Sequence, residues 1–120
     1  MSGFAAVALM LGLGLPAAAN AEGARIVFDC TGADGTITRF VVAPVETDAT
    51  GKGPIRVIFS GKTYDGVAAS NRGPFQFGTE AEHFALLIEG EADGGGLKAQ
   101  LHHATATAST LTPFTCETDI

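Results

Sequence analysis

After residue 21, the chain alternates short runs of β-branched and aromatic residues with glycine-rich polar turns. In the run 25–30, Ile26, Phe28 and Cys30 share one face of an extended chain, because successive strand side chains point to opposite sides. Helical periodicity is missing from this part of the sequence. The pattern predicts about seven or eight strands at roughly ten-residue spacing, at 25–30, 36–43, 55–60, 63–69, 75–77, 83–91, 97–107 and 110–116.

Short turns separate these predicted strands. Ala33-Asp34-Gly35 and Ser60-Gly61 are typical of tight hairpin connections, which join neighbouring antiparallel strands. An all-β fold follows, either a small antiparallel barrel or a sandwich. The short connections favour a meander, in which each strand pairs with the next one along the chain.

The alternation also predicts which side chains face the core. In the second strand, Phe40 and Val42 point to one side, while the neighbouring positions point to the other. In the long strand 97–107, Leu97, Ala99 and Leu101 are expected to point inward, with polar residues between them pointing outward.

The first 21 residues are predicted to be a cleavable signal peptide. An apolar run at 4–15 is too short to span a membrane, and Ala19-Asn20-Ala21 has the small-x-small pattern that signal peptidase recognises. We therefore expect a single β domain at 22–120, periplasmic or secreted, with no membrane span after cleavage.

The chain has two cysteines, Cys30 and Cys116, in the first and last predicted strands. In an oxidising compartment this count predicts a disulfide. The bond would hold the terminal strands side by side, which favours closure into a barrel. Two cysteines do not make a zinc site, and their spacing is not that of a redox motif.

The charge balance limits the classes of partner. The sequence has 7 basic and 13 acidic residues and a net charge of −6. Phosphate groups repel an acidic domain, so we expect no nucleic-acid partner. The same charge suits a cationic protein.

Motifs for catalysis or cofactor binding are missing from the sequence. The segment Ser60-Gly61-Lys62-Thr63 ends like a phosphate-binding loop, but Arg56 stands where that motif requires its first glycine. The adjacent His102 and His103 point to opposite faces of a strand and so do not share a metal ion. We therefore predict a protein that is not an enzyme and that uses no cofactor and no metal.

The order of several features resembles a known family. Phe28-Asp29-Cys30 is followed by a glycine turn, by Ser60-Gly61-x-x-Tyr64 in mid-chain, and by a last strand that ends in Cys116. This arrangement is similar to the membrane-bound lysozyme inhibitor family, small bacterial inhibitors of c-type lysozyme. The resemblance implies an eight-stranded antiparallel barrel whose Ser-Gly-x-x-Tyr loop enters the lysozyme cleft.

The resemblance also implies a binding site. Ser60, Gly61 and Tyr64 match the family's loop by position. The family's second signature, a Trp followed by Lys-Gly, has no counterpart here, and Lys62 or Arg72 could supply the cation instead. The predicted binding residues are therefore Ser60, Gly61, Lys62, Tyr64 and Arg72.

These observations lead to one functional hypothesis with two alternatives. The first is an exported, non-enzymatic binding module that inhibits a basic lysozyme-like hydrolase through residues 60–64. The second is a carrier that holds a small apolar ligand inside the barrel, against the phenylalanines at positions 40, 59, 75, 77 and 84. The third is a structural protein of the envelope. A filled barrel interior favours the first hypothesis, and an internal cavity favours the second.

Overall fold

The computed structural model describes residues 25–118, which form eight strands in a closed antiparallel barrel. The strands are β1 (Ile26–Thr31), β2 (Ile37–Pro44), β3 (Gly53–Phe59), β4 (Lys62–Ala68), β5 (Phe75–Gly78), β6 (Glu82–Glu91), β7 (Leu97–Thr105) and β8 (Ser109–Thr118). The predicted signal peptide lies outside the described residues. Residues 25–118 form strands and turns, and they contain no helix that is long and apolar enough to cross a membrane.

Each strand pairs with its neighbours along the chain, and β8 returns to pair with β1. The structure confirms the all-β class and, of the two predicted architectures, selects the barrel. The sequence predicts a gap of only two residues, 108–109, between the last two strands. In the structure the turn between them lies at 106–108. There the backbone N–H of Thr105 donates to the Ala108 carbonyl over 2.8 Å, which closes the hairpin.

The predicted disulfide closes the barrel. Cys30 and Cys116 are partners in the β1–β8 register, and a 2.05 Å bond joins their sulfur atoms. Both side chains are fully buried. The covalent link therefore lies at the one pairing that joins strands distant in the sequence.

Aromatic side chains fill the barrel interior. Phe28, Phe40, Phe75 and Phe77 are at most 2% exposed, and Leu86 is fully buried among them. Burying a side chain of this size contributes about 1.5–3 kcal/mol relative to leaving it in water. The interior is therefore a packed core.

The predicted alternation is confirmed by burial. Phe40, Val42, Ala99 and Leu101 are buried, and Leu97 is partly buried against the same core. Because the strands run alternately up and down, their connections gather at two ends of the barrel. We call one the hairpin end, formed by the connections 32–36, 60–61, 79–81 and 106–108, and the other the loop end, formed by 45–52, 69–74 and 92–96.

Candidate functional site

The connection between β3 and β4 is a two-residue turn at the hairpin end, formed by Ser60 and Gly61. Its φ angles are 54° and 76°, and Phe59 pairs with Lys62 directly below it. Two positive φ angles in a two-residue hairpin are the mark of a type I′ turn, whose twist matches that of the flanking strands. Among the described residues, Ser60 is the one non-glycine residue with a positive φ. Such a conformation costs of order 1 kcal/mol for a residue other than glycine, and the type I′ geometry of the turn imposes it here.

Aromatic rings support this turn from inside the barrel. The Phe59 ring stacks on Phe40 with centroids 4.8 Å apart and an interplanar angle of 8°. Phe59 also meets Phe84 edge-on at 5.1 Å, and Phe84 stacks on Phe77 at the same separation. The turn therefore stands on a rigid base.

Tyr64 belongs partly to this base. Its ring lies 5.7 Å from Phe77 and 5.6 Å from Phe84, and its side chain is half-buried. Within residues 25–118 its hydroxyl forms no hydrogen bond. The ring thus holds the turn in place from below, and the polar tip is left for other partners.

Lys62 supplies a positive charge beside the turn. Its side chain is exposed, and within the described part of the chain it has no carboxylate within ion-pair distance. Two arginines on the outer wall differ in this respect. Arg39 lies 2.7 Å from Asp29, and Arg56 lies 3.3 Å from Asp65. The Lys62 ammonium group is therefore available to a carboxylate of another molecule.

Arg72 lies elsewhere. It is exposed in the connection 69–74 at the loop end, whereas Lys62 begins β4 at the hairpin end. A seven-residue strand separates the two ends, which corresponds to roughly 20 Å. The structure therefore brings Ser60, Gly61, Lys62 and Tyr64 together, and it separates Arg72 from them.

Sequence reasoning missed a groove beside the turn. On the outer wall of the barrel, Ile37, Val41 and Ile58 lie next to Ser60 and Gly61 and line a depression of about 380 Å³. We call this depression the β2–β3 groove. Ile37 is 66% exposed, and Val41 lies opposite Ile58 in the strand register. The outward positions of Ile37 and Val41 follow from the alternation, but their proximity to the turn depends on pairing between strands.

The two adjacent histidines have separate partners on opposite sides of β7. His103 stacks on Phe84 at 4.5 Å, and its Nε2 lies 2.8 Å from Glu82 Oε2. His102 Nε2 lies 2.8 Å from the Ser109 hydroxyl. Residues 25–118 contain no group of three histidine, cysteine or carboxylate side chains placed to hold a metal ion. The stacked rings of His103 and Phe84 extend the aromatic base beneath the turn.

Comparison with known proteins adds no relative to this picture. No protein-family model, no curated protein and no solved structure matches the chain.

Proposed function

We propose that this protein is an exported, non-enzymatic binding module that inhibits a cationic lysozyme-like hydrolase. In this proposal the β3–β4 turn enters the carboxylate-lined cleft of the enzyme and blocks it. The observation that carries the proposal is the shape of the turn, in which the exposed Ser60 has a φ of 54° above a floor of stacked aromatic rings.

A fixed turn is a favourable binding element because its order is established before binding. Association loses rotational freedom of side chains and loops, and a loop already held in its bound shape loses less. Phe59 and Lys62 are paired across the base of the turn, and Gly61 allows the tight reversal. The turn can therefore enter a cleft with little reorganisation.

The chemistry of the turn suits a pair of carboxylates. The Lys62 ammonium group can form a charge-assisted hydrogen bond with one carboxylate, and the Ser60 hydroxyl can donate to another. Glycoside hydrolases hold two catalytic carboxyl groups about 5–9.5 Å apart. The two ends of a β-turn lie less than about 7 Å apart, so neighbouring turn residues can reach both groups.

The net charge of −6 supports a basic target. Opposite net charges steer two proteins together and raise the association rate, an effect that salt weakens. Long-range attraction by the acidic body and short-range contact by Lys62 thus act at different stages of binding.

The packed interior favours this proposal over an apolar-ligand carrier. The rings of Phe40, Phe59, Phe77 and Phe84 contact one another across the barrel, in the space that such a ligand would need. Surface contact is the function that a filled barrel supports better.

Export to the periplasm or the medium is part of the proposal. The disulfide between Cys30 and Cys116 supports it, because such bonds persist in oxidising compartments. An intact mass of the exported protein that begins at Glu22 would establish the cleavage. A chain that stays in the cytoplasm with its first 21 residues attached would contradict it.

The inhibition itself is tested with residues 22–120, purified with the disulfide intact. We expect micromolar protein to slow the lysis of a cell-wall suspension by c-type lysozyme. Lys62→Ala should weaken inhibition about tenfold, because it removes a charge-assisted contact. Lys98→Ala is the matched control, since Lys98 is also exposed but lies on β7.

Two outcomes would overturn the proposal. Unchanged lysozyme activity at micromolar concentrations of the wild-type protein would exclude the inhibitor function. Equal inhibition by the Lys62 and Lys98 variants would show that Lys62 makes no specific contact, because each variant removes one positive charge and strengthens the long-range attraction to a basic enzyme equally.

A further inference from the structure

The β2–β3 groove brings three apolar side chains together on a part of the barrel wall that also carries two ion pairs. On β2, the outward Arg39 is paired with Asp29 of β1, and on β3 the outward Arg56 is paired with Asp65 of β4. Ile37, Val41 and Ile58 interrupt this pattern, with Ile37 66% exposed. An outward isoleucine adds nothing to the core of this barrel, and Ile37 is not isolated on the surface, because Val41 and Ile58 line the same groove.

The groove and the turn form one continuous surface. Ser60 and Gly61 line the groove on one side and form the tip of the turn on the other. A stable protein–protein interface buries about 800 Å² on each partner, far more than a two-residue turn can offer. A contact made by the turn must therefore extend onto the neighbouring wall of the barrel.

We infer that the β2–β3 groove is the apolar half of the binding surface and receives an apolar side chain of the same cationic hydrolase. This inference rests on the proposed function and adds the residues that bind outside the enzyme's cleft. Protein interfaces combine a dry apolar centre with a polar rim, and energetic hot spots gather at that centre. Here Ile37, Val41 and Ile58 supply the apolar contacts, Arg39 lies between Ile37 and Val41 on the outer face of β2, and Ser60 lies toward the turn.

Charge supports this choice of occupant. Arg39 lines the groove, but its guanidinium group is neutralised by Asp29, with Nε 2.7 Å and Nη2 3.1 Å from the two carboxylate oxygens. A cationic partner thus meets a locally neutral groove on a molecule whose net charge is −6. A new positive charge inside the groove would be both desolvated and repelled.

The test places that charge by Ile37→Lys and measures binding to c-type lysozyme by calorimetry. Val67→Lys is the matched control, because Val67 is 56% exposed on the outer wall of β4, toward the loop end. Both variants change the net charge equally, so a difference between them reports local contact. We expect at least a tenfold loss of affinity for Ile37→Lys and less than about a threefold loss for Val67→Lys.

A milder pair of variants guards against misfolding. Ile37→Ala should weaken binding about fivefold, and Leu111→Ala, at a similarly exposed position on β8, should leave binding unchanged. Unchanged melting temperatures of all four variants would assign the losses to the interface.

The outcomes separate the inference from the proposed function. Wild-type protein that fails to bind lysozyme would overturn the proposed function and the inference together. Wild-type protein that binds, with equal affinities for the Ile37 and Val67 variants, would overturn the inference alone. Self-association of the wild type that Ile37→Lys abolishes would show that a second copy covers the groove, which also overturns the inference.

Discussion

Ser60 has a backbone conformation that is unfavourable for its residue type. A positive φ is unfavourable for serine, whereas asparagine and glycine adopt it readily. The preferred sequence for this kind of turn is Asn-Gly, yet this chain has Ser60-Gly61. In the proposed function, serine supplies a compact hydroxyl at the tip of the turn, which asparagine does not.

Substituting Ser60 should therefore separate stability from binding. We expect Ser60→Asn to raise the free energy of unfolding by about 0.5–1 kcal/mol, measured by urea denaturation, because it relieves the unfavourable φ. Under the proposed function, the same variant should bind lysozyme more weakly, since an amide replaces the hydroxyl. Ser60→Ala is the control, and it should weaken binding without stabilising the fold. A Ser60→Asn variant less stable than the wild type would contradict the account of the turn.

Hydrogen-bonded surface carboxylates, among them Asp48 and Asp34, link stability to pH. The Thr50 hydroxyl donates to Asp48 over 2.6 Å, and this bond, with the backbone N–H groups of Lys52 and Thr50, lowers the pKa of Asp48. At the hairpin end, hydrogen bonds from Thr36 lower the pKa of Asp34. A carboxyl whose pKa is lower in the folded state stabilises the fold above its unfolded pKa, near 3.9, and loses that effect as pH falls.

We therefore expect the free energy of unfolding to decrease as the pH is lowered below about 4. Denaturation midpoints in urea, measured across this range, would show the decrease. Asp48→Asn should flatten it, because an amide still accepts hydrogen bonds but does not titrate there. An identical pH dependence in wild type and variant would exclude Asp48 as a contributor.

At the scale of strands, β8 extends beyond its pairing with β1. Residues 109–114 pair with β7, but β1 pairs only with residues 115–118 of β8. This leaves one edge of β8 open at the hairpin end, where another chain could add a strand. Pro113 lies in this open stretch and lacks the N–H group that such pairing needs.

Pro113 should therefore protect the barrel from self-association. We expect Pro113→Thr to form dimers or larger species in sedimentation experiments, because it restores a donor and favours extended structure. Pro54→Thr is the control, since Pro54 is also in a strand, but β4 covers it through pairing with Val67. A Pro113→Thr variant that stays monomeric at high concentration would show that the edge is protected in another way.

The local sequence determines the strands more completely than it determines the surface of the candidate site. Alternation places Phe40 and Val42 inside because side-chain direction is a property of the strand itself. The groove needs Val41 to lie opposite Ile58, and that register is decided by pairing between strands. The position of Arg72 also depends on the arrangement of the strands. The family resemblance offers Arg72 together with Lys62 as a cation of the binding site, but β4 carries the chain to the opposite end of the barrel before Arg72. Local pattern thus predicts the elements and the turn, but not the surface around them.

At the scale of the whole molecule, the disulfide provides the link that local pairing does not. Seven of the eight pairings join consecutive strands, while β1 and β8 meet across almost the entire described chain. To form the β1–β8 contact, the chain between the two strands must close into a long loop. The chain loses conformational entropy in this step before any pairing energy is gained. The bond between Cys30 and Cys116, 86 residues apart, removes this loss by restricting the unfolded chain.

Breaking the bond should therefore destabilise the whole barrel. For a loop of this length the chain-entropy model gives about 4–5 kcal/mol, comparable to the total stability of a small domain. We expect the Cys30→Ala/Cys116→Ala double variant to unfold at much lower urea concentration. Under the proposed function, inhibition of lysozyme by this variant should fall with the folded fraction, because the turn depends on the aromatic base inside a closed barrel. Wild type in reducing agent is the control, since it loses the bond but keeps both sulfur atoms in the core. Matching losses in the two samples would assign the effect to the bond, and an unchanged urea midpoint in the reduced wild type would show that the β1–β8 pairing closes the barrel unaided.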